Sequence, residues 1–234
     1  MKSAVYFGSH HIYADMIPAA KSLLINSDVD KIYLLIEDDE FPYELPDSGV
    51  IETINISDLV PKLFVPNGPN FKTEWTYIGL IRAALTKVFP NLDKILSIDC
   101  DTIVNQDISD LWDVPLDDYY FAGVQEPHMS NLTHGLYINA GVMMCNLKKL
   151  REDGKDDEMI QILNTKRLYF VAQDAINAVC RDHILGLSGD YNSCPYTIQT
   201  YNQKVVHYAG IRGTWRDYPL VKHYREIPWE EIRI

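Results

Sequence analysis

Short apolar segments alternate with helical patterns through the first half of the chain, and this alternation limits the possible fold more than any other feature. Residues 32–36, IYLLI, form a continuous apolar run closed by acids, which is typical of a strand buried on both faces of a parallel sheet. Four strands are predicted, at 3–8, 31–36, 50–56 and 94–98, with helices at 16–24 and 73–89. This order predicts a sheet with helices on both faces.

The second half of the sequence is less regular but continues the same pattern. Strands are predicted at 121–124, 141–145, 184–187 and 205–208, helical spacing interrupted at Gly154 over 148–164, and a further helix over 173–180. No internal repeat, low-complexity tract or change of composition divides the 234 residues, so a single domain is predicted. The predicted fold class is α/β with a mixed, mostly parallel sheet, and ligands of such sheets bind beyond the carboxyl ends of the strands.

An excess of acidic residues restricts the partners of the chain. There are 33 Asp and Glu against 21 Lys and Arg, a formal net charge of -12. Nucleic acid is not expected as a partner, because its phosphates bind basic surfaces. An anionic substrate would be repelled at long range unless a bound divalent cation and a few basic side chains reverse the local field.

The apolar segments and the cysteines predict a cytoplasmic protein. No apolar run approaches the roughly 20 residues of a membrane-spanning helix, so no transmembrane segment is expected. The apolar run Ala4–Phe7 is too short for a signal peptide. The four cysteines contain no CxxC pair, which disfavours a zinc site and predicts reduced thiols.

A pair of acids, Asp99 and Asp101, directly follows the predicted strand 94–98. In extended backbone, residues i and i+2 point to the same side, so both carboxylates can converge on one cation. Hard oxygen ligands suit Mg²⁺ or Mn²⁺. The spacing alone is weak, because Asp28 and Asp30 share it in a polar turn. The apolar surroundings of Asp99 and Asp101 favour a metal site, since burying unpaired charge is costly.

His207 is the candidate for a third metal ligand. It lies in the predicted strand 205–208, and an imidazole beside two carboxylates would favour Mn²⁺ over Mg²⁺. The alternative is a buried histidine held by a backbone carbonyl. His10 and His11 follow the first strand and could face a ligand, but a surface loop is the simpler interpretation.

Four blocks of sequence resemble glycosyltransferase family 8, the family of glycogenin and of bacterial lipopolysaccharide galactosyl- and glucosyltransferases. They are KILSIDCDTIV at 94–104 with LWD at 111–113, INAGVM at 138–143, QDAIN at 173–177, and HYAG at 207–210 with Trp215. The likeness runs from about Ser3 to Trp215, nearly the whole chain. The first block is the most specific, and the shared order of all four carries the resemblance.

The resemblance implies a GT-A fold, with a Rossmann-like nucleotide-binding half over about residues 1–105 and an acceptor half over about 106–234. It also implies a UDP-sugar donor, Mn²⁺ with Mg²⁺ as the alternative, and retention of configuration at the anomeric carbon. The implied metal ligands are Asp99, Asp101 and His207. The implied donor-binding residues are Gly8, Ser9, Tyr13, Arg82, Asp99, Cys100, Asp101, Asn139, Ala140, Gly210 and Arg212.

The sequence departs from the family pattern around the donor. The family lysine that binds the diphosphate falls at Gly213, and the adjacent Arg212 is the candidate replacement, although arginine is a planar fork and lysine a point charge. The polar residues before the base-stacking tyrosine, Tyr13, are replaced by His10 and Ile12. The identity of the base is therefore less certain than the metal site.

Gln173 and Asp174 are the candidate catalytic residues. Gln173 matches the family glutamine on the reacting face of the sugar, and the family acid that precedes it is Ala172 here, with Asp174 following instead. Retention needs either a carboxylate nucleophile or attack from the face that the leaving group occupies. An amide is a poor nucleophile, so front-face attack is predicted, with Asp174 as the alternative nucleophile.

These features predict a hexosyltransferase that moves glucose or galactose to a hydroxyl of a glycan, lipopolysaccharide or glycoprotein. One alternative is a catalytically weak or inactive nucleotide-sugar-binding protein of the same fold. Another is a self-glycosylating protein like glycogenin, for which 15 tyrosines offer acceptors. A nucleotidyltransferase is disfavoured, because residues 8–13 lack a glycine-rich, basic phosphate loop. The acceptor, lipid-linked or protein-linked, is left open.

Overall fold

The described residues of the computed structural model are 1–73, 77–211 and 213–233, and they form nine strands and eight α-helices. The strands are β1 (Ser3–Phe7), β2 (Lys31–Ile36), β3 (Ile51–Asn55), β4 (Lys94–Ile98), β5 (Thr102–Val104), β6 (Phe121–Gln125), β7 (Ile138–Asn146), β8 (Ile184–Leu187) and β9 (Val205–His207). The helices are α1 (Tyr13–Asn26), α2 (Val60–Leu63), α3 (Leu85–Val88), α4 (Pro127–Thr133), α5 (Leu147–Glu152), α6 (Lys155–Thr165), α7 (Ala172–Val179) and α8 (Pro219–Glu226).

Seven strands form one sheet in the order β3-β2-β1-β4-β7-β6-β8. The neighbours are parallel except around β7, which runs antiparallel to both β4 and β6. β5 and β9 form a separate antiparallel ribbon. The predicted α/β class with a mixed, mostly parallel sheet is confirmed.

The sheet separates two hydrophobic cores. Successive side chains of a strand point to opposite faces, and in β1 Val5 and Phe7 lie in one core whereas Ala4 and Tyr6 lie in the other. α1 covers the face of Tyr6, while α5, α6, α7 and the segment Tyr77–Ala84 cover the face of Val5. The prediction of helices on both faces is therefore confirmed.

The helix predicted over 73–89 is largely wrong. Residues 74–76 lie outside the described part of the chain, Tyr77–Ala84 forms a 3-10 helix, and only Leu85–Val88 is α-helical. Glycine weakens an α-helix, and this segment contains Gly79.

The sequence pattern does not predict α4 and α8. α4 has seven residues and α8 eight, about two turns each. Both begin with proline in the first turn, where its missing N–H costs nothing. No helix within the described ranges is both long and apolar enough to span a membrane.

The direction in which strands are added to the sheet changes at β1. β2 and β3 lie on one side of β1, and β4 lies on its other side. The carboxyl ends of β1 and β4 therefore flank a topological switch point, where open α/β sheets bind ligands. Gly8 and Ser9 leave β1 at this place, and Asp99 leaves β4.

Asp156 links α6 to α3, and its loss should destabilise the protein. The carboxylate is 2% exposed, accepts a hydrogen bond from the Thr86 hydroxyl, and lies 2.9 Å from Lys87 Nζ. Asp156→Ala leaves a buried hydroxyl without its acceptor, so the free energy of unfolding should fall by about 1–3 kcal/mol. Urea denaturation followed by circular dichroism measures this change.

Asp157→Ala is the matched control, because Asp157 lies 2.7 Å from the same Lys87 Nζ but is 71% exposed. Its loss should cost at most about 1 kcal/mol. Burial raises the pKa of Asp156, but the hydrogen bonds from Thr86 and Lys87 outweigh it and hold that pKa below its ordinary value. The stabilisation is thus present above about pH 3.9 and lost as the pH falls through the lower native pKa. Equal losses in the two variants would contradict the assignment.

Candidate metal and donor site

Asp99 and Asp101 lie in the turn that joins β4 to β5. Thr102 Oγ1 donates to the Asp99 carbonyl at 2.7 Å, and the Asp99 N–H donates to the Gly141 carbonyl at 2.8 Å. The prediction of extended backbone across the pair is wrong, because the chain turns here from the large sheet into the β5–β9 ribbon. The two carboxylates nevertheless fall into one cluster.

The ribbon brings His207 to this turn. Thr102 pairs with His207, and the Tyr208 N–H donates to the Asp101 carbonyl at 2.9 Å. His207 Nε2 lies 3.3 Å from Asp101 Oδ1 and 3.8 Å from Asp99 Oδ2. One ligand atom from each of the three side chains lies within 4.8 Å of the others, so two oxygens and one nitrogen can hold a single divalent cation.

Burial and mutual charge set the protonation of this cluster. Burial lowers the pKa of His207, but the charge and hydrogen bond of Asp101 outweigh this and leave it well above its ordinary value. Burial raises the pKa of Asp101, and the charge and hydrogen bond of His207 bring it below its ordinary value. Burial leaves the pKa of Asp99 raised, although Arg82 and His207 oppose it. A cation would therefore take the place of the His207 proton.

Arg82 supplies a fixed positive charge beside the cluster. Its Nη2 contacts Asp99 Oδ1, and its side chain is 13% exposed. The guanidinium carbon lies 4.8 Å from the centre of the Phe7 ring. Within the described ranges, Arg82 Nε is buried without a hydrogen-bond partner. Such a donor fits an anionic ligand, and the residue does not lie on a solvated helix face.

β7 contributes Asn139, Ala140 and Gly141 where its pairing with β6 is irregular. The Ala140 N–H donates to Gln173 Oε1 at 2.8 Å, and the Gly141 N–H donates to Asn139 Oδ1 at 2.9 Å. Asn139 is buried, and the Ala140 side chain packs in the core on the α7 side of the sheet. Two adjacent backbone donors therefore fix two side-chain amides.

Gln173 is held against β7 by the first turns of α7. Asn177, one turn further along α7, accepts from the Ile138 N–H at 2.7 Å and donates to the Ile138 carbonyl at 2.9 Å. This clamp fixes α7 against the strand, and Gln173 Nε2 then lies 3.2 Å from Glu126 Oε1. Gln173 is therefore joined to β7 and to a buried carboxylate.

Asp174 has a different environment from its neighbour. Its Oδ1 accepts from the Tyr137 hydroxyl at 2.5 Å, and its Oδ2 accepts from the Phe170 N–H at 2.8 Å. Both carboxylate oxygens are thus engaged in holding the turn before α7. A carboxylate bound in this way is less available as a nucleophile than a free one.

Two residues of this region, Glu126 and Asn192, are not predicted from the sequence. Glu126 Oε1 accepts from Asn139 Nδ2 at 2.6 Å. Burial raises the pKa of Glu126, although its hydrogen bonds from Asn139 and Gln173 oppose this. Asn192 Oδ1 lies 2.8 Å from His207 Nδ1. An acid two residues after the predicted strand 121–124 is a signal for Glu126, whereas nothing in the irregular segment around Asn192 marks it.

The segment after β1 carries the predicted residues Gly8, Ser9 and Tyr13. A Cβ on Gly8 would overlap the side chain four residues further on. Ser9 Oγ is buried and has no hydrogen-bond partner among the residues described. The Tyr13 ring is buried, and its hydroxyl donates to Asp38 Oδ2 at 2.9 Å. The ring of Tyr13 is therefore enclosed, and only its hydroxyl reaches the acids that follow β2.

A second cluster of possible ligands lies beside this segment, formed by His10, Glu37 and Asp38. Glu37 already accepts from His10 Nδ1 at 2.8 Å and from the Tyr77 hydroxyl at 2.7 Å. His10 and Asp38 are exposed. These contacts account for the cluster without a metal ion, and His10 lies at the surface as predicted.

Cys100, Gly210 and Arg212 complete the predicted donor-binding set. The Cys100 thiol donates to the Phe7 carbonyl at 3.5 Å, and burial raises its pKa, which keeps it neutral. Gly210 has φ 77°, a conformation that favours glycine, and a Cβ there would overlap the Tyr196 hydroxyl. Arg212 lies outside the described residues.

Because Gly141 has no side chain, the His207 imidazole can occupy the space beside it. Filling that space with a methyl group tests the metal cluster. A Cβ at position 141 would lie 2.7 Å from His207 Nδ1 and nearer still to Cε1. Gly141→Ala should therefore displace the imidazole and weaken Mn²⁺ binding about 10- to 100-fold, the range found when the groups that orient a metal ligand are changed. Electron paramagnetic resonance of free Mn²⁺ measures the affinity.

Gly186→Ala is the control, because a Cβ at position 186 in β8 would meet Leu136 only at an ordinary 3.9 Å. This variant should bind Mn²⁺ like the native protein. If Gly141→Ala also retained the native affinity, His207 would not be a ligand of the ion.

A comparison with protein families agrees with this geometry. The model of the family described as "Glycosyl transferase family 8" matches residues 46–218. The match includes the turn after β4, the β7 segment, α7 and His207. The resemblance found in the sequence motifs is therefore confirmed.

Two curated proteins with related sequences are named as glycosyltransferases. A putative glycosyltransferase of Haemophilus influenzae is 25% identical over 90% of this chain and 72% of its own length. A lipopolysaccharide 1,2-glucosyltransferase of Escherichia coli is 29% identical over 60% of this chain and 51% of its own length. The matched region thus spans about half of the Escherichia coli protein.

Solved structures share the fold. The galactosyltransferase LgtC, in complex with donor and acceptor sugar analogues, superposes with a TM-score of 0.72 at 18% identity, over 97% of this chain and 98% of that one. The predicted GT-A fold is confirmed by this likeness. With the family model matching well over half of the residues, the chain belongs to glycosyl transferase family 8.

Proposed function

We propose that this chain is a retaining, Mn²⁺-dependent hexosyltransferase that moves glucose or galactose from a UDP-sugar to a hydroxyl group of a glycan, lipopolysaccharide or glycoprotein. The convergence of Asp99, Asp101 and His207 at the switch point of the sheet carries the proposal. Family membership supports glycosyl transfer. The names of the Escherichia coli glucosyltransferase and of LgtC support a hexose and a glycan or lipopolysaccharide acceptor.

The proposed donor site uses positive charge to offset an acidic chain. Asp99, Asp101 and His207 would hold the cation, which supplies charge to stabilise the leaving diphosphate. The imidazole nitrogen in this donor set favours Mn²⁺ over Mg²⁺. Arg82, with its unpartnered Nε, would donate to the diphosphate beside the cation. Arg212 is proposed to take the part of the family lysine.

At the sugar end, Asn139 and Gln173 are proposed to position the ring. The bond between the anomeric carbon and the diphosphate oxygen breaks, and the acceptor oxygen forms its bond to that carbon on the same face. The acceptor proton passes to the leaving phosphate oxygen. Asp174 has both oxygens engaged by Tyr137 and Phe170, which supports front-face attack over a covalent intermediate.

We also propose a cytoplasmic location and a division of the domain into a nucleotide half, about 1–105, and an acceptor half, about 106–234. All four cysteines are buried and unpaired, which supports a reducing compartment. In this division Asp99 and Asp101 end the first half, while Gln173 and His207 belong to the second.

The metal requirement is tested by Asp101→Ala. Removing one oxygen ligand should lower UDP release from a UDP-hexose about a thousandfold, because a metal contributes several kcal/mol to transition-state stabilisation and each 1.4 kcal/mol is a factor of about ten. Release of UDP is followed with Mn²⁺ and after chelation, across UDP-glucose, UDP-galactose and their N-acetyl forms. Asp28→Ala is the control, since Asp28 has the same motif spacing but is 77% exposed at the surface.

Full transfer by Asp101→Ala would refute the metal site. A native protein that binds UDP-sugar and Mn²⁺ but releases no UDP with any acceptor would favour the inactive binding protein. Incorporation of sugar into the protein itself would favour the self-glycosylating alternative.

The catalytic assignment is tested by comparing Gln173→Ala with Asp174→Asn. Gln173→Ala removes a group proposed to face the reacting sugar, so turnover should fall about 10²-fold, as for loss of one stabilising group in an active site. Asp174→Asn keeps an acceptor for one of its two hydrogen bonds and should retain turnover within about tenfold. Single-turnover kinetics at saturating donor measure both. If Asp174→Asn abolished turnover while Gln173→Ala kept most of it, the assignment would be reversed.

A further inference from the structure

A continuous row of buried side chains connects the metal cluster to Gln173. It runs from His207 through Asn192, Asn139 and Glu126, with donor–acceptor distances of 2.8, 2.8, 2.6 and 3.2 Å. No member is more than 9% exposed. Water therefore competes little for these hydrogen bonds, and each polar group depends on its neighbour in the row for a hydrogen-bond partner.

The directions of the hydrogen bonds between His207 and Glu126 follow from one backbone donor. The Gly141 N–H can only donate, so the Asn139 atom at 2.9 Å from it is the carbonyl oxygen, and Asn139 Nδ2 faces Glu126. The same oxygen lies 2.8 Å from Asn192, so Asn192 presents its Nδ2 there and its Oδ1 to His207. An amide oxygen only accepts. His207 Nδ1 must therefore carry a proton, which leaves Nε2 to the metal side.

The other end of the row is fixed in the same way. The Ala140 N–H donates to Gln173 Oε1 at 2.8 Å, so Gln173 Nε2 is the group that faces Glu126 and the Tyr137 hydroxyl. Two amide donors, from Asn139 and Gln173, thus converge on one oxygen of Glu126. A change in either amide would leave the other facing an incompletely satisfied carboxylate.

We infer that Asn192 is a positioning residue, which fixes the His207 imidazole for metal binding and, through Asn139 and Glu126, joins it to Gln173 in one hydrogen-bonded unit. This inference rests on the proposed function. Metal-ligating histidines depend on a partner at their second nitrogen for ring orientation, and here the Asn192 amide lies 2.8 Å from that nitrogen, while the Cys194 thiol also hydrogen-bonds the imidazole. Asn192 lies at Nδ1 of the imidazole, whereas Asp101 lies at Nε2, so it would act on a bound cation only through His207.

The first experiment measures Mn²⁺ affinity in the full chain by electron paramagnetic resonance, for the native protein, Asn192→Ala and Asn70→Ala. Asn192→Ala removes the acceptor at His207 Nδ1 and should weaken Mn²⁺ binding about 10- to 100-fold. Asn70 is an equally buried asparagine that donates to the Leu163 and Lys166 carbonyls, outside the row. Asn70→Ala should therefore lower stability but leave Mn²⁺ affinity unchanged.

Asn192→Asp keeps the shape of the side chain but should affect the two ends of the row differently. One carboxylate oxygen still accepts from His207 Nδ1, so Mn²⁺ affinity should stay within about threefold of native. The other oxygen faces Asn139 Oδ1, and two acceptors without a proton between them repel. Turnover at saturating Mn²⁺ and donor should therefore fall about tenfold or more, a split that general destabilisation does not produce.

The outcomes distinguish this inference from the proposed function. If the native protein releases UDP with Mn²⁺ but Asn192→Ala binds Mn²⁺ as tightly as native, the role of Asn192 is wrong and the proposed function stands. If Asn192→Asp turned over at the native rate, the inferred connection between Asn192 and Gln173 would be wrong. A native protein that binds no Mn²⁺ would overturn the proposed function and this inference together.

Discussion

Repulsion between two neighbouring carboxylates is the constraint around which the site is arranged. Asp99 and Asp101 lie in one turn with side chains 26% and 32% exposed, and their partial burial alone would favour their neutral forms. Arg82 contacts the first, and His207 lies 3.3 Å from the second. Each positive group comes from a different part of the chain, so the turn after β4, the segment before α3 and the β5–β9 ribbon are held together by charge as well as by packing.

Close packing makes this arrangement of charge possible. The imidazole of His207 reaches the carboxylates only because position 141 has no side chain. The same strand places an amide beside the imidazole, because the β4–β7 pairing ends at Ile98 and Val142 and the next N–H of β7, that of Gly141, donates to Asn139 Oδ1. A regular ladder would have used that N–H between strands. The end of the β4–β7 pairing is therefore part of the site.

Much of the fold and of the metal cluster could be predicted from sequence, because both leave local patterns. The apolar run at 32–36 predicts a buried strand, and the acids at Asp99 and Asp101 directly follow another. The 3-10 geometry of 77–84 could not be predicted, because the apolar residues of this short segment repeat with a helical period, which does not distinguish a 3-10 helix from an α-helix. Asn192 left no pattern either, because its role depends on contacts with residues 53 and 15 positions away, at Asn139 and His207.

The charge of the cluster explains how an acidic chain can accept an anionic donor. Without a cation, two carboxylates, one guanidinium and a protonated imidazole sum to zero. A divalent cation that displaces the imidazole proton raises this sum by one unit, at the place where the diphosphate is proposed to bind. The long-range field of a chain with net charge -12 repels the donor, but screening weakens that field beyond about 10 Å. Cation and donor should therefore bind cooperatively, because each lowers the electrostatic cost of the other.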